Sequence, residues 1–460
     1  FKTMLHSFLT AVDDFIWGPP LLALLMGTGL YLTIRLGLLQ VIRLPLALKL
    51  VFFPPKHDDK EGDVSSFAAL CTALSATIGT GNIVGVATAV KLGGPGAIFW
   101  MWIAAFLGMA TKYAEGLLAV RYRQKDANGQ MSGGPMYYLE KGLGSKFLAC
   151  AFALFGIGVA LFGIGTFPQV NAIADAAQLA FEVPKWTTGL ILAVLVALIT
   201  VGGIESISRV STKVVPFMAA LYVLTCFGVM YINADQLPAV IHQILNAAFT
   251  TTAATGGFAG ATMMLALQAG VARGVFSNES GLGSAPIAAA AAKTDSCVEQ
   301  GLVCMTGTFF DTIIICTMTG ITLVLTGAWQ SDVAGTAMTN MAFTQGIGSQ
   351  LGFYLVNIGL LFFAFTTIIG WNYYGERCTE YLLGVKAIKG YRWIFVLLVA
   401  AGAFLHLDLI WIIADIVNGL MAIPNLIGLI GLRHVIAAET FAYFGAKDTT
   451  PDDGEAEASL

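Results

Sequence analysis

Apolar residues run in eleven stretches separated by polar connections, at 14–36, 65–90, 96–120, 147–179, 186–203, 212–232, 256–293, 301–327, 349–376, 391–406 and 408–434. Most approach or exceed the about 20 residues a helix needs to cross a bilayer. The pattern predicts a polytopic helical membrane protein. The second stretch is interrupted where hydrocarbon depth is greatest, by Ile78-Gly79-Thr80-Gly81-Asn82-Ile83-Val84-Gly85. Glycine costs roughly 1 kcal/mol against alanine inside a helix, so this run predicts an opening. Non-helical backbone at that depth survives only where it is buried in protein or lines a cavity. Broken helices of this kind build the ion and substrate sites of secondary transporters.

A repeat shows through the same pattern. Phe67-Ala68-Ala69-Leu70, followed by Gly79 to Asn82 and Ala87-Thr88-Ala89, has a loose counterpart in the seventh stretch. There Phe258-Ala259-Gly260-Ala261 leads through Ser277-Asn278-Glu279-Ser280-Gly281-Leu282-Gly283-Ser284 to the alanine run 288–292. Five spans separate the two starts, an odd number, so the second copy enters from the opposite side. Paired interruptions in inverted halves point to a carrier's binding site. The alternative is that Ala/Gly-rich helices share composition because they pack closely. The reading divides the chain into an extra span with its cytoplasmic connector (1–64), a first five-helix repeat (65–232), a second, inverted one (256–434) and a cytoplasmic tail (435–460), acidic after Lys447.

Composition removes the soluble alternatives. The chain is 57% hydrophobic and only 11% charged, with mean hydropathy +0.78, against about 25% charged residues in a soluble domain. Charge placement says more than the net charge of -4. Assigning Lys and Arg to alternate sides puts nineteen on one set of loops and three (Lys2, Lys91 and Lys185) on the other. By the positive-inside rule the N-terminus is expected outside and the C-terminus in the cytoplasm, in a cell (inner) membrane. The first stretch has no small-residue cleavage pattern after it and is read as a span. The seven cysteines form no CxxC pair, which gives no metal knuckle and no redox motif. No GxxxxGK[ST], HExxH or GxSxG run occurs. ATP-driven transport by this chain and the commonest membrane hydrolases are therefore not indicated, and neither a nucleotide nor a nucleic acid is an expected partner.

Five runs are similar to the alanine or glycine:cation symporter family, within the amino acid–polyamine–organocation group. They are residues 76–87, Gly93-Gly94-Pro95-Gly96-Ala97, Ser132-Gly133-Gly134-Pro135-Met136-Tyr137-Tyr138, Arg273-Gly274-Val275-Phe276-Ser277-Asn278-Glu279-Ser280-Gly281, and Gly370-Trp371-Asn372-Tyr373-Tyr374-Gly375-Glu376. The resemblance implies the leucine-transporter fold, five plus five inverted spans here preceded by one extra helix. It also implies an ion site for sodium between Ala76 and Gly79 on the second span and the threonine pair Thr366 and Thr367.

The residues themselves suggest what the site binds. An opened helix offers free backbone N–H groups and a favourable dipole to a carboxylate, and Gly79, Thr80, Gly81 and Asn82 lie where such groups would be freed. No Lys or Arg lies in that run, which favours a neutral amino acid over an acidic one. Thr366 and Thr367 sit mid-span and could supply oxygens to an ion, or bond back to their own helix carbonyls. Trp371 and Phe167 could wall a small pocket, or could simply pack. Gln169, beside Pro168 in an apolar helix, needs a polar partner, which could be substrate or another helix. Gln268 and Asn278 join the candidate substrate residues. Arg273, Glu279 and Asp311 are intramembrane ionisable groups and candidates for gating or coupling. Pairing of Glu279 with Arg273 is the favoured reading, and Asp311 could share that partner. Lys112 and Glu115, three apart near a span end, read as a snorkelling pair. These observations predict sodium-coupled import of alanine or glycine by alternating access. Proton coupling through Glu279 or Asp311 is the alternative, and a channel a more distant one.

Overall fold

Serines open several of the apolar runs. Ser65 accepts from the amide of Ala68 at 3.1 Å and Ser145 from that of Leu148 at 3.3 Å. Ser296 accepts from the amide of Glu299 at 3.2 Å, the first half of a capping box. The computed structural model describes residues 2–55, 60–250, 263–404 and 408–449. Among these it is helical almost throughout, with one two-stranded ribbon pairing Gln124–Lys125 with Met131–Ser132. Among the described residues seven helices are long and apolar enough to cross a membrane. An eighth span forms if the bent pair Ser66–Thr77 and Gly81–Gly93, whose axes diverge by 53°, is counted as one.

Apolar residues face both inward and outward, as a lipid solvent allows. On Lys185–Thr200 the side chains of Trp186, Leu190, Val194 and Leu198 form one exposed face, while Leu192, Ala193 and Val196 are buried. Spacings of four residues put the exposed set on a single helical stripe. An exposed apolar stripe of this length marks a surface covered by lipid or by another protein.

The structure refines the expected elements. The first apolar stretch is preceded by a further helix, Lys2–Ile16, which meets Pro19–Arg35 at Gly18. The fourth is two helices, Lys146–Phe162 and Phe167–Phe181. Two further helices, Leu237–Ala247 and Gly335–Ile347, lie in connections read as loops; both are short, and neither carries a continuous apolar run. The counterpart 258–261, residues 56–59 of the first basic connection, the junction 405–407 between the last two stretches and the tail beyond 449 lie outside the described residues.

Contacts between connections fall into two groups. At one end Arg123 donates to the carbonyls of Glu61 (2.9 Å), Ala290 (2.9 Å) and Thr294 (2.6 Å), and Lys125 pairs with Glu61 at 2.9 Å. Arg377 pairs with Asp126 at 3.0 Å and with Glu376 at 3.1 Å at the same end. These segments all belong to the lysine- and arginine-rich set, so this is the basic end of the bundle. Lys91 reaches the Ser331 carbonyl, and Asn233 donates to the Gly346 carbonyl at 3.0 Å. Those segments belong to the opposite set.

Candidate functional site

The first break is built from its own glycines. Ser66–Thr77 ends at Ile78, whose backbone is extended (φ -75, ψ 93), and the chain resumes at Gly81 as a π-helical turn to Gly85. Side chains take the amides this opening frees. Gly79 N–H donates to Asn82 Oδ1 at 2.8 Å and Thr80 N–H to Gln169 Oε1 at 3.3 Å. Gln169 returns a bond from Nε2 to Thr80 Oγ1 at 3.1 Å. Across the break, Thr367 Oγ1 donates to the Ile78 carbonyl at 3.3 Å. The helix Gln350–Leu383 can come this close because position 370 has no side chain: a Cβ at Gly370 would stand 2.8 Å from Ala76 N and Ser75 Oγ. Backbone donors held by the Asn82 and Gln169 side chains, and a carbonyl beside a hydroxyl, thus lie together at one buried break.

The second break follows Met263–Asn278. Glu279 (φ 57), Gly281 (φ 88) and Gly283 (φ 84) turn the chain before Ala285–Ala289. Buried groups satisfy the freed backbone. Glu115 Oε1 accepts from the amides of Gly281 at 3.0 Å and Gly283 at 3.2 Å, and from Asn425 Nδ2 at 2.7 Å. Asn278 Oδ1 accepts from Ser280 N–H at 2.9 Å, its Nδ2 donates to Thr312 Oγ1 at 3.0 Å, and its carbonyl accepts from Lys112 Nζ at 2.8 Å. Trp371 Nε1 donates to Glu279 Oε1 at 2.9 Å, and Ser284 Oγ donates to the other carboxylate oxygen.

Asp311 joins the two breaks. It lies in the π-helical stretch Phe309–Cys316, fully buried. It accepts from Asn82 Nδ2 at 2.7 Å, Ser277 Oγ at 3.0 Å and Thr312 Oγ1 at 2.7 Å. Gly79, Thr80, Asn82, Gln169, Asn278, Glu279, Asp311, Thr367 and Trp371 therefore belong to one connected region. Gly81 packs with its Cα against Ser277, where a Cβ would lie 3.1 Å from the Ser277 Cα.

Several expected pairings are different. Arg273 pairs with Asp415, at 3.0 Å, and not with Glu279 or Asp311; both carboxylates instead bind uncharged donors deep in the bundle. Lys112 and Glu115 do not snorkel. They are 2% and 0% exposed and brace the second break from within, because the opened backbone there needs both a donor and an acceptor. Gln268 lines a separate cavity of about 440 Å³ with Asp13, Trp17, Arg273 and Asp415 at the end opposite the basic one. Phe167 packs against Phe162, ring centroids 6.3 Å apart, and beside Gly402, a helix-interface contact. Both threonine hydroxyls lie 3.0 Å from the Phe363 carbonyl of their own helix; they differ in the second acceptor, Met218 Sδ at 3.5 Å for Thr366 and the Ile78 carbonyl at 3.3 Å for Thr367. Asn425 and Asp415 were not singled out from the sequence, and Glu115 only as a surface pair with Lys112. The signal for Asn425 was available, since it follows Pro424 in an apolar helix as Gln169 follows Pro168.

Comparison with known proteins accords with this arrangement. The model of the sodium:alanine symporter family matches residues 2–457. The sodium/alanine symporter AgcS of Methanococcus maripaludis is 51% identical over 95% of this chain and 97% of its own. An uncharacterized transporter of Haemophilus influenzae is 63% identical over 96% of each chain, and the probable sodium/glutamine symporter GlnT of Bacillus subtilis is 38% identical over 95% of this chain and 90% of its own. Among solved structures, MhsT in complex with L-phenylalanine superposes with a TM-score of 0.55 at 13% identity, over 84% of this chain and 99% of that one, which makes the fold that of the leucine transporter. The chain is a multi-pass membrane transporter, not an enzyme, and it belongs to the sodium:alanine symporter family.

Proposed function

We propose that this protein imports a small neutral amino acid, alanine or glycine, together with sodium, by alternating access through eleven spans, ten of them in two inverted five-helix repeats. The reading rests on one observation above the others: Gly79 and Thr80 present adjacent backbone N–H groups beside an Ile78 carbonyl that faces Thr367 Oγ1. A substrate carboxylate has the same need for donors as Gln169 Oε1, and would take its place on the Thr80 amide while the Gln169 amide turns to the ligand. Sodium would take the carbonyl side, with Ala76, Gly79, Thr366 and Thr367 as its neighbours. The absence of Lys or Arg from residues 76–87 favours a zwitterion of no net charge. A relative named a sodium/alanine symporter supports both halves of the reading. The N-terminus is placed outside and the C-terminus in the cytoplasm by the loop charges.

Radiolabelled alanine uptake into proteoliposomes tests it. Uptake under an inward sodium gradient that disappears with potassium substitution is the expected result. Absence of sodium-dependent uptake of both alanine and glycine overturns the reading. Proton coupling is favoured only by the burial of Asp311 and Glu279 away from Arg273; uptake that ignores sodium and stops when a pH gradient is collapsed would select it.

A further inference from the structure

At the basic end a cavity of about 560 Å³ opens between the junction of Lys185–Thr200 with Gly203–Ile232 and the start of the helix Ile388–Gly402. Its lining is chemically divided. One part carries donors: Lys389, Arg392, Asn128 and Gln130. The other is apolar, with Ile388, Trp393 and Val396. No carboxylate lines it.

Arg392 is committed to the protein. Its guanidinium binds Glu376 at 2.6 and 3.0 Å and the Val201 carbonyl at 3.1 Å. Lys389 has no hydrogen bond or ion pair with any described residue, so its charge is uncompensated at the cavity mouth.

The surroundings identify the occupant. The apolar side continues into a surface with nothing over it: Leu198 is 70% exposed, Val201 73%, Leu397 66% and Trp393 60%. Such a surface faces lipid tails, and an exposed tryptophan at its edge marks the headgroup level. A soluble anion would leave this apolar half unused. An anionic phospholipid satisfies both halves, its phosphate at Lys389 and its acyl chains along Leu198, Val201 and Leu397. Basic pockets between helices at the membrane surface hold acidic headgroups on these terms.

We propose that this cavity is a binding site for an anionic phospholipid. The site adjoins Arg392, and through Glu376 it touches Arg377 and its pair Asp126. Bound lipid therefore stiffens the ion-pair layer that closes the basic end.

The test uses the purified full chain in mild detergent and follows thermal unfolding while lipid is added. Phosphatidylglycerol in large excess over its Kd should raise Tm by about 1–3 °C, given the unfolding entropy of a chain this long. Phosphatidylcholine and inorganic phosphate should not. Lys389→Glu should lose most of the shift, and Lys141→Glu, an exposed lysine at the same end, should keep it. Equal shifts with phosphatidylcholine, or an unchanged response in Lys389→Glu, overturn the site. A full shift with inorganic phosphate alone overturns the assignment to lipid, and equal loss in Lys141→Glu reduces the effect to general surface charge. None of these readouts depends on what the protein transports.

Discussion

Asn82 Nδ2 stands 2.7 Å from Asp311 Oδ1, while Asn82 Oδ1 holds the Gly79 amide. One side chain thus fixes the opened backbone of the first break and ties it to a carboxylate that also holds Ser277, on the helix leading into the second. A change of position at either break is transmitted to the other through two hydrogen bonds.

Asp311→Ala should remove the carboxylate acceptor of three buried donors, leaving Asn82 and Ser277 only weaker ones, the Asp311 carbonyl and Cys316 Sγ, at about 1–3 kcal/mol in all. Both thermal stability and alanine uptake are expected to fall. Asp311→Asn retains one acceptor oxygen, so it should fold better than Asp311→Ala yet still lose uptake. Equal stability of both variants with the parent protein would show that the bridge carries no energy.

The two threonines should separate in a sodium titration. Thr367→Val removes the hydroxyl facing the Ile78 carbonyl and should raise the sodium concentration for half-maximal uptake about tenfold or more, roughly 1.4 kcal/mol. Thr366→Val removes a hydroxyl that faces Met218 and its own helix, and the shift should be much smaller. Equal shifts would mean that the ion lies nearer the Thr366 side than this geometry allows.

Lys112→Met should destabilise the protein by about 3 kcal/mol, the scale for removing one member of a buried charge group. Its ammonium serves the Asn278 carbonyl and acts on the buried carboxylates Glu115 and Glu279. Combining it with Glu115→Gln should recover part of the loss. A double variant no more stable than the single one would argue against charge balance as the reason for burial.

Gly370→Ala would force a methyl against Ala76 N and Ser75 Oγ, at about 1–3 kcal/mol for overpacking. Because the strain falls where the threonine helix meets the first break, uptake should drop more than expression does. Normal uptake kinetics in this variant would show that the contact yields freely.

Asp63 lies in a connection outside the spans and accepts from the Met131 amide at 2.9 Å. Burial raises its carboxyl above the usual carboxylate range. The folded state therefore holds its proton more tightly than the unfolded chain does. Its contribution to stability is fully present at low pH and is lost as pH rises from about 4. Asp63→Asn keeps an acceptor for Met131 and should flatten the dependence of Tm on pH over that range. An unchanged profile would place the titration elsewhere.

The interruption at Ile78 to Gly85 was legible because glycine and asparagine in a long apolar run have a local cost that only a break relieves. The polar run 277–284 was legible for the same reason, and the contrast between basic and non-basic loops needs only charge and order along the chain. Pairings across the bundle were not legible. Arg273 had Glu279 six residues away and Asp311 in the next span, yet it binds Asp415, more than a hundred residues on. Lys112 and Glu115 had the spacing and position of a surface pair, yet they support the second break from inside. Spacing along a helix says which residues share a face but not what that face meets. The sequence alone determined that this chain lives in lipid, where it opens, and which residue types line the openings. Only the tertiary structure decided who satisfies whom, because a buried polar group takes the partner that packing brings within about 3 Å, however far away it lies in the chain.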